Sequence, residues 1–125
     1  EGPIYDDLLV HRIARAHGFA RAAGRIRELV IGAVDPRCPR TTDDGRTLYW
    51  SLDGDPTGLV PFRGTIEGAR DHADVPLIEL ASLAKNYLEA GADREETIRR
   101  MATTMGLAKL REGTRKRFEQ CIGLL

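Results

Sequence analysis

The chemistry-bearing residues of this chain are cations, and they come in two clusters. Between Leu8 and Arg27 stand five arginines and two histidines with no acid among them. From Lys109 to Arg117 stand Lys109, Arg111, Arg115, Lys116 and Arg117, countered only by Glu112. Guanidinium forks suit phosphate oxygens and guanine edges, so the pattern points to nucleic-acid contact. Arg21 and Arg25 fall one helical turn apart, on the side opposite an apolar stripe of Phe19, Ile26 and Val30. Arg27 follows them, and Arg40 and Arg46 lie where a hairpin is expected.

Other chemistries find little support. There is no G-x-x-x-x-G-K-[ST], no G-x-S-x-G, no H-E-x-x-H and no clustered acid–lysine set, so no catalytic residue is assigned. His11, His17 and His72 have no metal-ligand spacing, and Cys38 and Cys121 lie far apart without a C-x-x-C. No metal and no cofactor is expected, and both thiols read as reduced and structural. Asp53 and Asp55 are explained by a turn. Tyr49, Trp50 and Phe62 either stack on unpaired bases or close a small core, the commoner role of aromatics at a strand end.

The elements that must position the cations are legible in outline. Leu9, Val10, Ile13 and Ala16 recur at helical spacing behind Asp6 and Asp7, and Gly18 closes that helix. A second helix follows almost at once, its stripe continuing through Leu29, Ala33 and Val34 to Asp35-Pro36. So short a connection implies helix-turn-helix geometry. Two β-favouring runs then flank Asp43-Asp44-Gly45, a hairpin signal, and the Gly-Pro-Ile at the start supplies a possible third strand. Residues 53–75 are rich in Gly, Pro and Asp and read as a linker, with at most one short strand at Leu59 to Phe62. Pro76 opens a helix that stops at Gly91. Asp93 caps the next, paired with Glu96 in a capping box, and a last helix runs to about Ile122 with Leu110, Thr114, Phe118, Cys121 and Ile122 inward.

The first helix pair recurs. Advancing by 88 positions takes Val10 to Ile98, Ile13 to Met101, Gly18 to Gly106, Arg27 to Arg115, Val30 to Phe118 and Val34 to Ile122. Chemistry is kept at core, turn and basic positions alike, which marks two copies of one unit. The second copy has a leading helix, 76–90, whose counterpart would lie before Glu1, and it lacks a hairpin.

The fold class expected is therefore mainly α with a small β-hairpin (α+β): a winged-helix-like helix-turn-helix unit over 1–52, a linker over 53–75, and a wingless three-helix copy over 76–125. With 19 basic and 19 acidic residues there is no global field to draw the chain to nucleic acid, so binding must rest on local charge. No apolar run reaches the length of a membrane span and no signal core is present, which places the protein in the cytoplasm, away from membranes. The opening on Glu1 reads as a domain cut from a longer polypeptide.

At Leu8 to Val30 the chain resembles an uncharacterised bacterial domain found near the C-terminal end of large superfamily-one helicase-like proteins that also carry an endonuclease-like domain. Gly18, Phe19, Arg21, Arg25 and Ile26 match its G-F-x-R-x-x-x-R-I pattern, and Val60-Pro61-Phe62-Arg63 resembles its later V-P-plus-basic motif. The resemblance implies a parent helicase or nuclease whose motor and cleavage residues lie elsewhere. The expectation is thus a non-catalytic accessory module that binds nucleic acid, duplex DNA by preference, beside the parent's remaining domains. It would use Arg21, Arg25, Arg27, Arg40, Arg46, Lys109, Arg111, Arg115 and Lys116. The alternative is a protein-interaction or oligomerisation module of the same parent; the oligomeric state is left open.

Overall fold

The computed structural model describes residues 3–18, 24–64 and 71–125. Along them run β1 (Ile4–Tyr5), α1 (Asp6–Ala16), α2 (Gly24–Ala33), β2 (Arg40–Asp43), β3 (Arg46–Tyr49), a 3₁₀ turn (His72–Asp74), α3 (Leu77–Glu89), α4 (Arg94–Thr104) and α5 (Glu112–Gly123). This is the expected helix-dominated α+β chain. It divides into two compact units, Glu1–Thr57 and Gly58–Leu125.

In unit 1, α1 buries Val10 and Ala14 and ends where Gly18 takes φ 84°, a left-handed conformation that glycine adopts without a Cβ penalty. The β2–β3 hairpin turns on Asp44 (φ 53°) and Gly45 (φ 72°); two positive φ values in succession match the twist of the strands they join. β1 pairs antiparallel with β3, Ile4 opposite Tyr49, which gives a three-stranded sheet in the order β1-β3-β2. On central β3 both Leu48 and Tyr49 are buried, as are Ile4, Tyr5, Val10 and Trp50. Trp50 Nε1 donates to Thr41 Oγ1 at 2.8 Å, and the Tyr5 hydroxyl donates to Asp43. Tyr49 and Trp50 therefore close a core, at 7% and 5% exposure, and do not offer stacking faces.

Unit 2 is built on three helices. α3 buries Leu77, Leu80, Ala81, Leu83 and Ala84 against Ile98, Met101 and Ala102 of α4 and Phe118 and Cys121 of α5. The Asp93 carboxylate caps α4 by accepting from Glu96 N at 2.8 Å. Only that half of the expected capping box is formed. The Glu96 carboxylate accepts instead from Arg99 Nη2 at 2.8 Å and Arg100 Nε at 2.9 Å, its neighbours on the outward side of the helix. The chain from Gly58 onward belongs to this unit: Phe62 packs on its core and Val75 is fully buried. Leu59 to Phe62 form no strand.

Boundaries repeat as well as residues. α1 and α4 start and stop 88 positions apart, α5 begins 88 positions after the first described residue of α2, and Gly106 (φ 71°) stands where Gly18 does. In the second copy Cys121 is sealed in, and its Sγ donates to the Phe118 carbonyl at 2.9 Å. Burial pushes its thiol pKa up to about 12. Cys38 is only half-buried. With a disulfide-exchange reagent at neutral pH, one thiol per chain, that of Cys38, is expected to react before unfolding and Cys121 only with it. Fast reaction of both would contradict the packing of α5.

Candidate nucleic-acid interface

Two of the nine expected cations do the same structural job in the two copies. Arg27 on α2 reaches back to α1, donating to Asp7 Oδ1 at 3.0 Å and Asp6 Oδ2 at 2.5 Å. Arg115 on α5 reaches back to α4 through two parallel bonds of 2.8 Å to the Glu95 carboxylate, with Glu119 at 3.5 Å. Arg27 and Arg115 are counterparts in the 88-residue register, and so are Asp7 and Glu95. The pairing draws both guanidinium pKa values up and the Glu95 carboxyl down, through the shared hydrogen bonds first. These arginines brace one helix of each pair on the other. The signal was present in the sequence, because the acid recurs in register with the base.

Another cation of the second cluster is internal. Arg117 is 7% exposed, and its Nη2 donates to the Val75 carbonyl at 2.7 Å and its Nε to the His72 carbonyl at 3.3 Å. It holds down the chain that leads into α3. This corrects the expectation that Arg117 belongs with the second cluster's outward cations. Arg63, the basic residue of the Val-Pro motif, is likewise engaged. Its backbone N–H and its guanidinium hold the fully buried Glu79 carboxylate on α3 with contacts of 2.8 to 3.2 Å.

The cations left to solvent are fewer than the sequence suggested. Arg25 stands on the outward side of α2 with Glu28 and Gly32, and its guanidinium has no ion-pair partner among the described residues. Arg40, on the edge strand β2, lies over the Tyr49 ring at 5.1 Å and is otherwise exposed. Arg46 stacks closely on the Tyr5 ring, 3.7 Å from its centroid, beside Asp7 at 3.9 Å. In unit 2, Lys109, Arg111 and Lys116 are exposed and without ion pairs among the described residues, the first two beside a surface groove that also takes in Asp71, Leu107 and Thr114. Arg21 and Phe19 lie outside the described residues. Unit 1 therefore presents Arg25 and Arg40, and unit 2 presents Lys109, Arg111 and Lys116.

Beside these polar faces unit 1 carries an apolar groove of about 380 Å³ between α1 and α2, lined by Ile13, Ile26, Leu29, Val30, Ala33 and their neighbours. Leu29 is 66% exposed there. Asp55, the turn acid, accepts from Thr57 N at 3.0 Å and Thr57 Oγ1 at 2.5 Å, a local Asx-turn. Among the described residues no three of His, Cys, Asp and Glu come together as a metal site would need, and no helix is long and apolar enough to cross a membrane.

A family model described as "Protein of unknown function (DUF3320)" matches residues 1–28, less than a quarter of the chain, from the segment before β1 into α2. No curated protein and no solved structure matches.

Proposed function

We propose that the chain is a non-catalytic accessory module that binds nucleic acid, duplex DNA by preference, for a larger helicase- or nuclease-type protein. The observation that carries this reading is Arg25: an arginine on the solvent side of the second helix of a helix pair, left without a counter-ion among the described residues. The topology is in keeping with it. A short strand before the helix pair, a hairpin after it and the order β1-β3-β2 support a winged-helix reading, in which the second helix would enter the major groove and the hairpin touch the backbone. Arg21, Arg25 and Arg40 then serve in the first copy and Lys109, Arg111 and Lys116 in the second, while Arg27, Arg46 and Arg115 act through the fold. The helicase association rests on the resemblance around Gly18 to Ile26.

The test is a salt titration of binding to unrelated duplexes. A steep fall in affinity is expected, with each phosphate contact contributing a slope of about 0.9 in the log–log plot. Arg21→Glu with Arg25→Glu should flatten the slope, as should Lys109→Glu with Lys116→Glu, whereas Arg115→Ala should leave it unchanged because that guanidinium already has its carboxylate. Absence of binding to any nucleic acid at low salt would sink the reading. A protein-interaction module is favoured instead by one observation, the exposure of Leu29 in the apolar groove.

A further inference from the structure

The groove of unit 1 has a counterpart in unit 2 that is already filled. Moving 88 positions along the chain takes Ile13 to Met101, Ile26 to Thr114, Leu29 to Arg117, Val30 to Phe118 and Ala33 to Cys121. Every one of these second-copy residues is at most 8% exposed. What covers them is α3, whose Leu77, Leu80, Ala81, Leu83 and Ala84 share one core with Met101, Phe118 and Cys121. In unit 1 the same face is covered only in part among the described residues: Val30 is buried, but Leu29 and Ala33 are exposed and Ile13 and Ile26 only half-buried along the open groove. A helix stripe needs a partner layer to be stable, and one copy of the repeat displays what that layer is.

We propose that the groove is the seat of an amphipathic helix of the α3 kind, leucine- and alanine-faced and about three turns long, which leads α1 in the polypeptide as α3 leads α4. The small residues Ala81 and Ala84 suit α3 to close approach, and the occupant of unit 1 meets a small residue in the exposed Ala33. One position differs in kind. Where Arg117 fastens the carbonyls ahead of α3, unit 1 has Leu29, so its occupant is held by apolar contact alone. Leucine at that position makes no sense on a solvent face and good sense under a helix. The inference rests on the repeat register and not on nucleic-acid binding.

The experiment uses the full chain with Cys38→Ser and Ala33→Cys, so that the new thiol lies in the groove at the position of Cys121. Its labelling rate is compared with that of the same chain carrying a copy of residues 76–89 fused ahead of Glu1, where tethering supplies a high effective concentration. The fused helix is expected to slow labelling by at least about tenfold, and Leu29→Glu in the fused chain to restore the rate. Fusion of the same segment with both leucine positions 77 and 80 of the copy changed to Glu should give no protection. An unchanged rate on fusion, or equal protection by the altered segment, would overturn the proposal. So would slow labelling of the unfused chain together with a dimer in sedimentation, since the groove would then be covered by a second copy. Nucleic-acid binding, measured separately on the unfused chain, decides the other reading independently.

Discussion

Arg63→Ala is expected to destabilise unit 2 by about 3 kcal/mol, read as a lower midpoint in urea unfolding followed by helical circular dichroism. The Glu79 carboxylate is fully buried on α3 and takes three of its contacts from Arg63, two of them from the guanidinium. Truncating the arginine leaves the backbone N–H in place but removes the two guanidinium donors from a fully buried carboxylate. Most of the expected cost is the weaker compensation of a buried charge and not the worth of the bond itself. Arg63→Lys should recover only part of the loss, because an ammonium cannot present two donors in the plane of the carboxylate. The double replacement Arg63→Met with Glu79→Leu should come close to the parent chain. A cost below about 1 kcal/mol for Arg63→Ala would mean that Glu79 takes a proton or another donor in its place. The experiment also separates two roles for the Val-Pro-Phe-Arg motif, since a nucleic-acid contact at Arg63 would change the salt slope and leave stability alone.

Phe118→Ala is expected to cost about 3–5 kcal/mol in the same measurement, the ordinary range for a buried aromatic whose cavity cannot collapse. Phe118 sits under α3 with Met101 and Cys121 and meets the edge of the His72 ring, centroids 6.2 Å apart. Its counterpart Val30 provides the contrast. Val30→Ala removes less surface and enlarges a groove already open to water, so a cost of less than half that of Phe118→Ala is expected. Equal costs at the two positions would show that the groove of unit 1 is closed in solution.

Much of the fold could be read because local chemistry decides it. Gly18, Gly91 and Gly106 end helices by taking positive φ, Asp93 begins one by accepting a backbone N–H, and Asp44-Gly45 turns a hairpin. Each acts within a few residues of itself, so type and spacing suffice. The cations were harder, because whether an arginine is free depends on what the tertiary fold brings to it. Arg27 and Arg115 look like surface charges until Asp7 and Glu95 are found across the helix pair, and Arg117 looks like one more base until the carbonyls ahead of α3 appear. The apolar stripe misleads in the opposite direction: Ile26, Leu29 and Ala33 have the spacing of a core face, yet nothing among the described residues lies over Leu29. Periodicity tells which face seeks burial and is silent on what supplies it. The 88-residue register was the strongest signal available and carried further than its first use, since it relates ion pairs and covering layers as well as residue types.

The pairing of β1 with β3 sets a timetable. Ile4 and Tyr5 leave the ribosome ahead of α1, but their strand partners Tyr49 and Leu48 follow only after both helices of unit 1 and most of the hairpin. The sheet thus closes across a long loop whose entropy must be met before its hydrogen bonds and the Tyr5–Asp43 bond offset it. α1 and α2 can associate earlier, through contacts between neighbours in sequence. The β1 residues, within the segment matched by the family model, are thus made before the helix pair, and their strand partners after it.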